Sequence, residues 1–263
     1  MPRGGLNMSA QGNGLDERGY IINSCSLDNI QPEFNTVVNA VIDELCLCFP
    51  DRIDGIYLYG SVPRGTAKVG KSDLDVSIVF KDAVTNADNE ALCSISSSIA
   101  KSHHQVSKLD LDPGCMQNIL LPQEKYHWQF WLRHCCCCVW GNDLSRHFPQ
   151  QKPSLHIARA LNGDVDVFLE QMTGKFARMS ENEISRVLGK KLLRSAYYLI
   201  AEQDGSWHTE IAICAEVARK HYPQHKDDIQ LAYQLAIGHL VSKEKAFVLY
   251  NRLREPLNAG FIK

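Results

Sequence analysis

Residues 56–79, IYLYGSVPRGTAKVGKSDLDVSIV, decide how this chain is read. The apolar and aromatic run at 56–59 predicts a strand entering a turn at Gly60 and Ser61, where a residue without Cβ lets backbone approach a ligand. A polar connection over 62–71 leads to a second predicted strand, 72–80, with Asp73 and Asp75 at its start. Residues two apart on a strand face the same way, so the two carboxylates share one side while Leu74 and Val76 take the other. Carboxylates held that close repel unless a cation lies between them. Paired hard oxygen donors suit Mg²⁺, whose shell is completed by water and substrate phosphate oxygens. Backbone N–H groups and the hydroxyl at Gly60-Ser61 offer donors to the same phosphates. The stretch therefore reads as a phosphate-plus-metal site.

The remaining composition limits what such a site can serve. The 263 residues suffice for one large domain or two smaller ones, and the 44% apolar and 22% charged content is that of a globular protein. A formal net charge of −2 argues against a nucleic-acid partner, which calls for a basic excess. No apolar run approaches the roughly 20 residues that span a bilayer, and no leader is evident, so a cytoplasmic protein without membrane contact is expected. Ten cysteines fall at C-x-C (Cys46, Cys48), four in a row (Cys135 to Cys138) and singly, without paired C-x-x-C spacing for zinc. Alternating strand faces keep a run of four off any one metal, and reduced, largely buried thiols are expected.

Along the chain, residues 1–25 lack periodicity and read as a flexible arm. Helical spacing of Val37, Val38, Val41, Ile42 and Leu45 predicts a helix from Pro32 towards Phe49, and a second helix is predicted over 86–102. Residues 105–112 (QVSKLDLD) alternate as a strand ended by Pro113-Gly114 and carry the acidic pair Asp110 and Asp112. An aromatic amphipathic segment at 123–134 and a short apolar strand at 135–140 follow. Beyond Pro149 and Pro153 helical period dominates, the clearest helices being 181–202, 209–221, 227–240 and 242–254. The expected division is an arm at 1–25, a domain at 26–150 and an all-helical domain at 151–263.

Gly60-Ser61, eleven residues, then Asp73-Leu74-Asp75 between two strands resembles the signature of the DNA polymerase β-like nucleotidyltransferase superfamily. Within it the chain looks like an aminoglycoside adenylyltransferase of the streptomycin/spectinomycin type. CVWGNDL (138–144) and the helix pair LGKKLLRSAYYLIAEQDG and WHTEIAICAEVARKHYP add to the likeness over most of residues 30–255. The resemblance implies an α+β fold: a mixed sheet with flanking helices, then a helical bundle that binds substrate. It implies transfer of AMP from ATP to a small-molecule hydroxyl with Mg²⁺, two ions being expected, and a role in antibiotic resistance. Asp73 and Asp75 map onto the first two metal carboxylates. The third, also a metal ligand and the base on the acceptor, maps best onto Asp110, with Asp112 in reserve as a turn residue.

The resemblance further implies that Gly60 and Ser61 grip the outer phosphates. Arg64 reads either as a phosphate contact or as a surface residue. Lys190, Lys191 and Arg194 read either as a triphosphate contact from the second domain or as a solvated helix face. Polycationic acceptors call for an acidic rim, for which Asp204 and Glu210 are the candidates, with Glu202 beside them. The four tryptophans could stack on a sugar but suit core packing. Where the family has a Lys at the entry of the second bundle helix, this chain has His208-Thr209. Two other readings stand beside the first: adenylylation of a protein or other acceptor, and a nucleotide-sensing module without transfer.

Overall fold

A computed structural model describes residues 12–262. The chain forms two compact units, one of residues 22–151 and one of residues 12–21 together with 152–262.

In the first unit, β1 (Ile53–Tyr59), β2 (Leu74–Phe80), β3 (Leu109–Cys115) and β4 (Cys136–Gly141) form one sheet in the order β3-β2-β1-β4. β1 runs antiparallel to β2 and β4, and β2 runs parallel to β3. One face is apolar by alternation: Ile56, Leu58, Leu74, Val76 and Ile78 pack beneath α1 (Pro32–Cys48) and α2 (Asn86–Ser102). Pro32 opens α1, where its missing N–H costs nothing, and Phe34, Val37, Val38, Val41 and Leu45 form its buried stripe. A Thr85/Asp88 capping box starts α2. Tyr57 and Val79 face the other way. They meet Ile119 of the short α3 (Met116–Ile119) and Leu132 of α4 (Trp128–Cys135), with Cys136, Leu144 and Phe148.

Two boundaries differ from the sequence reading. β3 does not stop before Pro113-Gly114 but runs through both, so Asp112 is a strand residue rather than a turn residue. β3 is the sheet edge, where a residue without an N–H forfeits no ladder bond. The cysteine run is likewise split: Cys135 closes α4, while Cys136 and Cys138 face the α4 side and Cys137 the other. All ten thiols are free, but Cys48 and Cys93 are exposed, so burial is less general than expected. Burial pushes the Cys136 thiol well up and that of Cys137 up to about 12.

The second unit is helical: α5 (Leu155–Asn162), α6 (Phe168–Phe176), α7 (Glu181–Tyr198), α8 (Ala201–Asp204), α9 (Ile211–His221), α10 (Lys226–Ala236) and α11 (Lys243–Ile262). α7 is its axis, capped by Ser180 and Glu183 and burying Leu188, Leu192, Leu193 and Tyr197. A Cβ on Gly189 would lie 2.6 Å from the Ala232 carbonyl oxygen, so this glycine permits the close approach of α10. α11 continues through Pro256 beyond the expected end at 254. Among the described residues no helix is long and apolar enough to cross a membrane.

The expected flexible arm is corrected where it can be followed; residues 1–11 lie outside the described residues. Asn13 accepts from the Trp207 N–H (2.8 Å) and donates through Nδ2 to the Gly205 carbonyl (3.0 Å). A Leu15–Ile21 bridge closes a turn in which the Asp16 carboxylate accepts from the Arg18 and Tyr20 N–H groups. In the sheet unit, Asn23 Nδ2 donates to the carbonyls of Arg133 (3.1 Å) and Cys136 (2.7 Å). Polar side chains here satisfy backbone, an order that hydrophobic period does not register.

Candidate active site

The site lies at the end of the sheet where β1 leaves for β2. Gly60 has φ +82°, and a Cβ there would stand 2.1 Å from Asp75 Oδ2. Glycine is thus required twice, for the left-handed backbone and for the carboxylate lying against it. The turn continues with the Thr66 N–H on the Ser61 carbonyl (3.0 Å) and the Gly65 N–H on that of Val62 (3.1 Å), and it carries half-buried Arg64.

Strand register assembles the carboxylates. Asp75 lies opposite Tyr59 on β1 and opposite Asp110 on parallel β3, so all three project from one face. Asp73 precedes β2 rather than lying inside it, and its Oδ1 accepts from the Ser107 hydroxyl (2.5 Å). Leu74, buried in the cluster beneath α1 and α2, fixes Asp73 and Asp75 on the opposite side. Asp112, two residues beyond Asp110 on the same face, accepts from the Tyr59 hydroxyl. Lys108 ion-pairs with Asp110 Oδ1 (2.5 Å).

This crowding has an electrostatic signature. Burial, then the charges of Asp110, Asp73 and Asp112, push the Asp75 carboxyl up to about 7, against the pull of Arg64. Burial and Asp112 likewise hold the Tyr59 hydroxyl far above its ordinary range. Among the described residues no three His, Cys, Asp or Glu side chains already form a metal-binding group. The donor chemistry nevertheless fits a hard divalent cation, since a carboxylate destabilised by three others gains most from a positive charge beside it.

Asp73, Asp75, Asp110, Gly60, Ser61 and Arg64 are therefore brought together in the sheet unit. The other expected site residues belong to the helical unit. The Lys191 ammonium is ion-paired with Asp164 and lies 4.9 Å from the Phe168 ring centre, with its side chain only 10% exposed. Burial pushes its pKa down. It is a buried structural cation rather than one of a solvated helix face. Asp204 accepts from the Ser206 hydroxyl (2.6 Å) and meets His221 Nε2 (2.8 Å). Burial would raise its pKa, but these two partners bring it down. The carboxylate is thus engaged in tying α8 to α9 rather than lining an acidic rim. Arg194 on α7 and Glu210 before α9 are exposed. Trp207 stacks on Tyr198 and Trp131 packs edge-on to Tyr59, both core roles.

Tyr59 and Lys108 are site residues that sequence reasoning missed. Each had a signal: Tyr59 immediately precedes Gly60-Ser61, and Lys108 is two residues before Asp110, on the same side of an extended segment.

Residues 39–128 match the family model described as a nucleotidyltransferase domain, so the chain carries such a domain. Among solved structures it is similar to spectinomycin adenyltransferase AAD(9) from Enterococcus faecialis, crystallised with ATP and spectinomycin. That likeness is 17% identical, covers 87% of this chain and 99% of that one, and has a TM-score of 0.60. It shows a shared fold. A toxin-antitoxin structure with AMP-PNP also matches, at 16% identity over 56% of this chain and 98% of that one, with a TM-score of 0.30. No curated protein matches the sequence.

Proposed function

We propose that this nucleotidyltransferase moves AMP from ATP to the hydroxyl of a small molecule, and that the acceptor is an aminoglycoside. The observation that carries the proposal is the register of Asp75 against Asp110 beside the Gly60 turn. It sets a crowded acidic row against a backbone suited to phosphate. The solved relative of the same fold holds ATP and spectinomycin, which supports the choice of donor and acceptor.

Asp73 and Asp75 would hold Mg²⁺, with Asp110 able to join them; the ion would neutralise charge on the triphosphate and on the leaving pyrophosphate. The chain's own groups do the rest. The backbone and hydroxyl at Gly60-Ser61 donate to phosphate oxygens, and Arg64 adds a charge-assisted contact. Asp110 takes the proton of the acceptor hydroxyl as its oxygen bonds to the α-phosphorus and the bond from phosphorus to the pyrophosphate oxygen breaks. Glu210 is the exposed carboxylate of the helical unit that we assign to a cationic acceptor.

Label transfer from α-labelled ATP to a panel including streptomycin and spectinomycin tests this. Label should appear on a drug in wild type and fall about 100-fold or more with Asp110→Asn, the range for loss of a general base. Nucleotide binding without transfer to any drug would overturn the small-molecule acceptor. Absence of nucleotide binding would overturn the reading of residues 60–75.

A further inference from the structure

Lys108 is ion-paired with the site carboxylate Asp110, yet the transfer chemistry above does not use it. Its Nζ lies 2.5 Å from Asp110 Oδ1, and its side chain is 62% exposed. Its backbone is fixed independently of that contact. The Leu74 N–H donates to the Lys108 carbonyl (2.9 Å), the neighbouring Ser107 N–H to the Ser72 carbonyl (3.0 Å), and the Ser107 hydroxyl to Asp73 (2.5 Å). The main chain of Lys108 is therefore stitched to the segment bearing Asp73, while its largely exposed side chain reaches Asp110 through its ammonium.

We propose that Lys108 is a positioning residue that serves as the internal counter-cation of the site, holding Asp110 in the unloaded protein and surrendering that carboxylate when a divalent cation enters. The inference rests on the reading of Asp73, Asp75 and Asp110 as the metal-binding carboxylates. A row of four carboxylates without a metal is costly, and an ammonium on a flexible stem offsets part of that cost without blocking the site. The same pairing makes a metal ion compete with the lysine. Divalent affinity is then kept low until nucleotide supplies further oxygen ligands. Once displaced, the ammonium remains near the site, where the anionic triphosphate provides an alternative partner.

The test is Mn²⁺ binding to the full chain without nucleotide, followed by the free-ion signal in electron paramagnetic resonance. Lys108→Met should bind Mn²⁺ about threefold to fivefold more tightly than wild type, the range for loss of a competing exposed ion pair. Lys108→Arg, which keeps the charge, should bind as wild type does. With ATP present the gap between Lys108→Met and wild type should narrow, because nucleotide oxygens then dominate the shell. Equal or weaker Mn²⁺ binding by Lys108→Met, in a protein whose wild type binds the ion, would overturn the role of Lys108 and leave the proposed reaction standing. No binding to wild type with or without ATP would overturn the metal reading itself, and this inference with it. The Lys108 side chain is largely exposed, and Lys108→Arg controls for misfolding.

Discussion

Asp75 in the sheet unit and Asp164 in the helical unit stand in opposite surroundings. Asp75 is flanked by Asp73, Asp110 and Asp112, and its carboxyl is pushed up to about 7. Asp164 meets a buried ammonium, that of Lys191, beneath the Phe168 ring. The helical unit repeats the second pattern at Asp204, which His221 and Ser206 satisfy. Charge that is matched within the protein holds the fold together. Charge left in excess of its partners marks where something from outside is expected.

Removing one carboxylate from each unit should break the comparison cleanly. Asp75→Asn should lower AMP transfer roughly 1000-fold, an effect of about 4 kcal/mol on the transition state, if Asp75 is the ligand for the divalent ion that we propose. Thermal stability without metal should not fall, since the crowding is relieved. A variant that melts earlier yet still transfers would reverse the assignment of Asp75.

The pH dependence of stability sharpens the same point. The folded-state pKa of Asp75 lies near 7, above the ordinary 3.8. Stability associated with its protonated form is therefore full below about pH 4 and is lost as pH rises through 7. In divalent-free buffer this loss should be on the order of a few kcal/mol at most between pH 5 and pH 8. Mg²⁺ should restore stability at pH 8 and do little at pH 5, and Asp75→Asn should flatten the slope. Melting curves at the two pH values, with and without Mg²⁺, read this directly.

Asp164→Asn is the counterpart. It strands the Lys191 ammonium, and because Asp164 is partly exposed the cost should be about 2 kcal/mol rather than the full penalty of a buried pair. Denaturant midpoints would register it, while transfer per folded molecule should stay within about twofold of wild type. A large loss of transfer would return Lys191 to the nucleotide-binding role its position on α7 first suggested.

What the sequence revealed divides along the same line. The α1 and α2 stripes, the Gly60 turn and the Asp73/Asp75 pair were legible because each is local, set by period or by neighbours within a few residues. The helices at 155–162 and 168–176 are short and were not separated from their surroundings. β3 was cut short because Pro113 reads as a terminator unless the strand is known to be an edge. The fates of Lys191 and Asp204 were hidden because Asp164 is 27 positions away and His221 is 17 away. No spacing rule marks such partners, whereas two carboxylates separated by one residue are visible in the sequence itself.

The smallest expected effect concerns the choice between Asp110 and Asp112. Tyr59 is half-buried and its hydroxyl donates to exposed Asp112, so Tyr59→Phe should cost about 1 kcal/mol of stability, the worth of one hydrogen bond. If Asp110 is the base, transfer should change by less than about threefold, because water can replace the lost donor at an exposed carboxylate. Asp112→Asn should behave alike. Both substitutions leave the Asp75–Asp110 register untouched, since that register is set by backbone pairing of β2 with β3. A 100-fold loss in Asp112→Asn with little change in Asp110→Asn would move the base one step along β3. Tyr59 would then be the residue that orients it, and the Lys108–Asp110 pair would be part of the scaffold rather than of the chemistry.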